Sequence, residues 1–447
     1  MVHNDDQVPA PVGVDEYSAR RARLMAGVPA DSAILMPAAN LRVRNHDSEY
    51  PFRQDSDFYY LTGFPEPDAW LLLLPGREEG ESVLFCLHRD PGVEAWTGRR
   101  VGPRQAVTRF GMDEAWPLTE RDDKLYELLD GRHTLYLPLD DERALTLASE
   151  VRGRLKTLER RGCVAPGAYA DISATLHEQR LIKSDAELAL MRHAGMITAR
   201  AHVRAMQAAR PGMQEYQLQA CIEHEFVMQG ARAPAYSTIV GSGANACILH
   251  YVENDACMGA GQLVLIDAGA EYALYAGDIT RTFPVSGRFS EPQRQLYEIV
   301  LGAEQRAIRT VRPGVTLRDI HERVVSDLTA GLVALGLLEG PAETAITEGQ
   351  YKRFYLHATS HWLGLDVHDV GRYQHNGEAR ALVPGMVLTI EPGLYIPDDP
   401  DIPEQWRGIG IRIEDNVAVT AEGCEVFTDG VPKRVKEIEA LMAVQDA

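Results

Sequence analysis

At about 150 residues per domain, a chain of 447 residues favours two or three domains around a large buried core. Apolar residues at 45% and charged residues at 25% fit a folded globular protein and exclude long disorder. A net charge of −20, from 45 Lys+Arg against 65 Asp+Glu, repels phosphate backbones and anionic lipid. Neither nucleic acid nor a membrane surface is therefore expected as a partner, whereas cationic ligands such as metal ions are welcome.

No run approaches the roughly 20 apolar residues of a membrane span. The opening MVHNDDQVPAPVG lacks the basic and apolar regions of a secretory leader. Cys86, Cys163, Cys221, Cys247, Cys257 and Cys424 are scattered, with no CxxC pair, as for structural thiols in a reducing compartment. A cytoplasmic location is expected.

In chain order, helices are predicted near Val14–Met25 and Asp123–Asp130, and strands at Ala33–Met36, Trp70–Leu74, Val83–Leu87 and Thr134–Leu137. This alternation defines an α/β domain over residues 1–175, fading where Gly162–Ala174 interrupts the pattern. A second domain, residues 176–447, opens with Ser184 and Glu187 spaced as a capping box. The helix that follows, Ala186–Ala209, stops at Arg210-Pro211-Gly212, and a second helix runs to Gly230. The arrangement then recurs: a helix from Glu291 ends at Arg312-Pro313-Gly314, and another spans Leu317–Leu335.

Each helix pair leads to an apolar run that begins at a glycine and closes on an acid. Gly261 leads to Asp267, and Gly385 leads to Glu391. A further strand carries Asp278 in one half and Glu414 in the other. Two such series in order mark an internal duplication, and its expected product is a pseudo-twofold domain with four acids meeting at the axis. A hairpin would set Asp267 opposite Asp278, and alternation in Gly410–Asp415 puts Arg412 and Glu414 on one face. Acids in apolar runs are costly to bury without partners, for which Arg281 and Arg412 are also candidates.

His357, His361 and His368 lie close together in the sequence. The His357–His361 spacing matches HExxH, but Ala358 removes the zincin base. Two Asp, two Glu and one His form an oxygen-rich set suited to Mn²⁺ or similar ions, and four carboxylates match two divalent cations. Gly241-Ser242-Gly243 lacks nucleophile-elbow spacing, and neither it nor Gly408-Ile-Gly410 completes a dinucleotide or phosphate loop.

With these residues in place, the chain resembles the pita-bread metallopeptidases, and nearly its whole length is similar to the aminopeptidase P family within them. The resemblance rests on Phe52–Gly63, Glu94–Arg100, Ile248–Tyr251, Asp278–Phe283, Ser360–Gly364 and Glu391–Tyr395, in that order. It implies a creatinase/aminopeptidase-like N-terminal α/β domain before a pita-bread catalytic domain. It also implies two metals, normally Mn²⁺ with Co²⁺ or Zn²⁺ as alternatives, held by Asp267, Asp278, His361, Glu391 and Glu414. Asp278 and Glu414 would bridge both ions, and a hydroxide between the metals would attack the bond before a proline in second position.

By the same resemblance, His250 and His368 lie near the scissile carbonyl, while Tyr395, Arg412 and His368 surround the proline. Trp96 is lent to a neighbouring subunit, so a homo-oligomer, dimer or tetramer, is expected. Either Glu391 or Glu414 relays the proton, with Glu391 preferred. Arg372–Arg380 departs from the family's spacing before Pro384, and no arginine there is assigned. Other readings are a prolidase confined to Xaa-Pro dipeptides, a non-catalytic pita-bread protein that binds a protein partner, and a metal-free enzyme such as creatinase, which should not need Asp267, Asp278 and Glu414 together.

Overall fold

The computed structural model describes residues 8–443, so most of the polar opening segment lies outside them. It contains two compact units that part between Arg180 and Leu181. The boundary expected at 175/176 falls inside the helix Ser173–Leu181. Among the described residues no helix is long and apolar enough to cross a membrane.

The N-terminal unit is built on a six-stranded mixed sheet. Its strands are β1 (Ser32–Pro37), β2 (Trp70–Leu73), β3 (Ser82–Cys86), β4 (Glu114–Pro117), β5 (Thr134–Leu137) and β6 (Ala168–Asp171), in the order β4-β3-β2-β1-β5-β6. The near-continuous apolar runs of β1, β2 and β3 are buried throughout, as strands covered on both faces require. Helices α1 (Val14–Ala26), α2 (Arg121–Leu129) and α3 (Glu142–Thr157) accompany the sheet. α3 buries Ala144, Leu147, Ala148, Val151 and Leu155, a helical stripe packed with Leu125, Leu129, Leu35 and Leu72.

The C-terminal unit repeats one path twice. Its first half holds α4 (Asp185–Ala208), α5 (Glu215–Met228), β7 (Ile239–Ser242), β8 (Leu263–Ala268) and β9 (Ile279–Pro284). The second half holds α6 (Glu291–Thr310), α7 (Leu317–Ala334), β10 (Val387–Ile390), β11 (Gly393–Ile396), β12 (Ile409–Arg412), β13 (Asp415–Val419) and β14 (Cys424–Val426). Side chain and backbone cap each other reciprocally at the start of α4 through Ser184 and Glu187, and at α6 through Ser290 and Gln293.

The duplication extends to single hydrogen bonds. Gly212 and Gly314, at φ 89° and 87°, occupy left-handed turns open to glycine. The Gly212 N–H donates to Met258 O at 2.8 Å and the Gly314 N–H to Leu382 O at 2.9 Å. Met258 N–H and Leu382 N–H return bonds to Met213 O and Val315 O at 2.8 and 2.7 Å. Each linkage lies just ahead of the glycine that opens the acid-bearing strand, so both strands are delivered to their sheets in the same way. The sheets β7-β8-β9 and β10-β13-β14, with the β11-β12 pair, carry the polar residues of the site.

Candidate functional site

β8 pairs antiparallel with β7 and β9, with Asp267 across from Thr280. Asp278 is thus not opposite Asp267, as a simple hairpin predicts, but two residues along the same face. The turn sets this register. Ala273 and Leu274 both have positive φ, 50° and 69°, which makes a tight two-residue connection, and counting back from it places Asp278 across from Gly269. That approach is close: a Cβ on Gly269 would lie 1.7 Å from Gly277 O, so only glycine is tolerated.

The second-half acids arrive by the same logic. Glu391 directly follows β10, and Glu414 lies between β12 and β13. Arg412 and Glu414 do share a face, because the Arg412 Nε donates to Thr280 Oγ1 at 3.1 Å and that hydroxyl donates to Glu414 Oε2 at 2.7 Å. Arg281 serves elsewhere, pairing with Asp415 at 2.7 Å.

One ligand atom each from Asp278, His361 and Glu414 fall within 4.8 Å of one another, spaced to hold a metal ion. His361 Nε2 lies 3.4 Å from Asp278 Oδ2 and 3.5 Å from Glu391 Oε1. Its Nδ1 is 2.9 Å from Trp362 O, an acceptor only, so Nδ1 carries a proton and Nε2 faces the acids. Asp267 is held by Arg412 Nη2 at 2.6 Å and by the Tyr236 hydroxyl at 2.6 Å. The same hydroxyl reaches Asp278 Oδ1 at 2.5 Å, so a single proton is shared between two carboxyl groups.

Burial dominates the electrostatics of the site. Burial and then the neighbouring Asp278 push Glu414 well above the carboxylate range. Burial likewise pushes Glu391 up to about 7. His361, despite burial, is drawn up to about 9 by its hydrogen bond to Asp278 and by the nearby acids. The donors that Asp278, His361 and Glu414 offer, two carboxylates and one imidazole, suit a hard divalent ion.

These residues line a cavity of about 800 Å³. His250 and His368 are on its wall, and the His368 ring meets the His361 ring edge-on at 4.5 Å. Burial and the charge of His361 lower the His368 pKa, so the ring is neutral near pH 7. The Tyr395 hydroxyl, buried and pushed up to about 12, accepts from Arg412 Nη1 at 3.0 Å. Trp96 belongs to the N-terminal unit, in the helix Pro91–Thr97, and is 91% exposed.

Sequence reasoning assigned no role to Tyr236 or His357. His357 Nε2 lies 2.8 Å from the Tyr395 hydroxyl and Nδ1 3.6 Å from Glu391 Oε2, and burial lowers its pKa to about 4. Ala358 breaks the HExxH pattern that would have marked it. For Tyr236 no local motif exists; the pairing of Pro234 with Ala270, the Ala235 N–H bond to Gly269 O at 2.8 Å and the β7-β8 pairing bring it to Asp267.

A pseudo-twofold fold with this acid and histidine cluster in a cavity defines a metallohydrolase. Residues 189–421 match the model for metallopeptidase family M24, and residues 17–136 match that for the aminopeptidase P N-terminal domain. The chain is 48% identical to the Xaa-Pro aminopeptidase of Escherichia coli, over 96% of this chain and 97% of that one. It is 46% identical to the Haemophilus influenzae Xaa-Pro aminopeptidase, with the same coverage. The structure of Pseudomonas aeruginosa aminopeptidase PepP superposes with a TM-score of 0.96 at 49% identity, covering 98% of this chain and 99% of that one. E. coli aminopeptidase P with the inhibitor Pro-Leu gives 0.95 at 47% identity, covering 98% and 100%. The chain therefore belongs to metallopeptidase family M24, and within it to the aminopeptidase P group.

Proposed function

We propose that this chain is a metal-dependent aminopeptidase that releases the first residue of a peptide when proline is second. The cluster of Asp278, His361 and Glu414 in a cavity of about 800 Å³ carries the reading, and the full-length likeness to Xaa-Pro aminopeptidases supports it. Asp267, Asp278, His361, Glu391 and Glu414 would hold two divalent cations, Mn²⁺ first, with Co²⁺ or Zn²⁺ as alternatives. When bound, the ions supply an activated water near neutral pH and polarise the scissile carbonyl.

The protein's own groups do the rest. Glu391 carries a proton on its carboxyl towards the leaving proline nitrogen, with Glu414 as the other candidate. His250 and His368 donate ring N–H groups to the oxygen that gains charge, each worth about 2–4 kcal/mol. Arg412 fixes the Asp267 carboxylate and the Tyr395 hydroxyl. Proline offers no amide N–H, so ring shape must be read by Tyr395, His368 and Trp96. The 91% exposure of Trp96 supports its contribution to a second subunit, in a dimer or tetramer. Six free cysteines support a reducing, cytoplasmic setting.

The test uses chelator-stripped protein resupplied with Mn²⁺ and offered an Xaa-Pro dipeptide and an Xaa-Pro-Xaa tripeptide. Metal-dependent release of the first residue from the tripeptide is expected. Cleavage of the dipeptide alone would make the chain a prolidase, and no cleavage of either would favour a non-catalytic role.

A further inference from the structure

A buried carboxylate outside the cavity takes no part in the chemistry above. Glu215, the first residue of α5, is 0% exposed, and among the described residues its carboxylate accepts only from neutral donors. Its Oε1 accepts from Ser242 N–H at 2.7 Å, Ser242 Oγ at 2.7 Å and Asn245 Nδ2 at 3.2 Å. Its Oε2 accepts from the Tyr251 hydroxyl at 2.8 Å and Ala256 N–H at 3.0 Å. The charge thus fastens both ends of residues 242–256 and the residue beside His250. A buried carboxylate is retained at such a cost only when its donors are held in fixed positions.

Three observations tie this clamp to His250. Among the described residues no hydrogen bond or ion pair holds the exposed His250 ring, so its aim depends on the backbone beside Tyr251, which is 6% exposed. Asn254 fastens the same segment to the sheet, accepting from Val240 N–H at 2.9 Å and donating to Thr238 O at 2.8 Å. The matching position of the second half, three residues beyond Gly314 as Glu215 is beyond Gly212, holds Leu317. The duplicated fold therefore does without a charge there; only the half that carries His250 has one.

We infer that Glu215 is a positioning residue that sets His250 against the scissile carbonyl, an inference that rests on the role given to His250 above. Glu215→Gln keeps the shape but turns an NH₂ towards either the Ser242 or the Ala256 N–H, and one backbone donor loses its acceptor. The experiment compares wild type, Glu215→Gln, His250→Ala and the double variant, all Mn²⁺-loaded, on a tripeptide. Glu215→Gln should lose roughly 10- to 100-fold in kcat with bound metal unchanged. In the His250→Ala background the same change should cost less than about twofold, because coupled residues are not additive. Equal factors in both backgrounds would overturn the inference.

Hydrogen exchange provides a readout free of activity. Amides of residues 242–256 should exchange faster in Glu215→Gln while those of α4 and β8 do not; uniform acceleration would also overturn it. If His250→Ala turns over normally, the role of His250 fails, and the exchange pattern still decides whether Glu215 fastens the loop. Tyr251→Phe, which removes the hydroxyl's bond to Glu215 and its longer 3.5 Å contact with Asp255, is the gentler variant should Glu215→Gln not fold, and it should show the same non-additivity.

Discussion

In the first half of the C-terminal unit Asp267 pairs across the sheet with Thr280, and Asp278 stands one diagonal step away. In the second half the register that pairs Ile390 with Asp415, carried one residue on, sets Glu391 directly across from Glu414. The surroundings differ as well. Asp267 has a guanidinium at 2.6 Å and shares a tyrosine hydroxyl with Asp278, while Glu414 has a threonine hydroxyl at 2.7 Å and no cation so near among the described residues. The first-half acids are thus partly compensated by the protein. Burial, the largest cause, pushes both second-half glutamates upward, Asp278 adds to it at Glu414, and the neighbouring His361 and Arg412 only partly offset it at Glu391.

Losing a residue from the shared cluster erases the contrast and should have the largest effect. Asp278→Asn or His361→Ala is expected to lower metal-dependent turnover by at least about 10³-fold, the several kcal/mol that Lewis-acid activation supplies. Near-normal rates in either variant, measured beside metal content, would reject the site. His368→Ala, on the cavity wall, should cost roughly 10²- to 10³-fold in kcat with metal content retained. Loss of metal in that variant would make His368 a ligand instead.

Stability in chelator separates the halves. Asp267→Asn leaves the guanidinium of Arg412, 4% exposed, without its counter-ion and should cost about 3 kcal/mol in denaturant unfolding. Glu414→Gln copies the protonated acid and keeps the Thr280 bond, so its change should stay under about 1 kcal/mol. Equal losses would mean that the two halves are compensated alike.

The protons on the second-half acids give the comparison a pH dependence. Glu391 stands at about 7 against an ordinary 4.5, and His361 at about 9 against 6.5. Both folded values lie above the unfolded ones, so protonation stabilises the metal-free fold. That stabilisation is full below about 4.5 for Glu391 and about 6.5 for His361, and it is lost as pH rises through about 7 and 9. Divalent cations must displace these protons. The gap in Tm between Mn²⁺-loaded and chelated protein should therefore widen from about pH 5 to about pH 9; a narrowing gap would contradict the assignment.

The sequence disclosed what is periodic or repeated. Thr134–Leu137 was expected and found as a strand, and the helices from Asp185 and Glu291 start beside the residues that cap them. It omitted the helix Glu142–Thr157, whose apolar stripe is composed largely of alanine and leucine and mixed with charge. The four acids were legible because duplication places them in or beside matched strands, whereas His361, outside any strand, stood out through its spacing to His357 and His368 and through the family resemblance. The acids' diagonal and direct registers were not legible, since Ala273 and Leu274 are unusual choices for a left-handed turn. Tyr236, Thr280 and Glu215 escaped for a common reason: each acts through pairing with strands or loops distant in sequence, and no spacing rule announces it.

Two ion pairs that join the halves provide the smallest effect and the sharpest control. Arg192 of α4 meets Glu425 of β14 in a bidentate pair at 2.6 and 2.8 Å, yet the side chains are 44% and 40% exposed. Arg281 of β9 meets Asp415 of β13 with both fully buried, and its Nη1 also donates to Glu414 O at 2.6 Å. Solvent and salt screen the first pair and not the second. A double-mutant cycle on Arg192→Ala and Glu425→Ala should give a coupling of at most about 0.5–1 kcal/mol that shrinks with added salt, with turnover unchanged. A coupling well above that, or a loss of activity, would show that the halves are held together at the surface as well as through the buried strands that carry the acids.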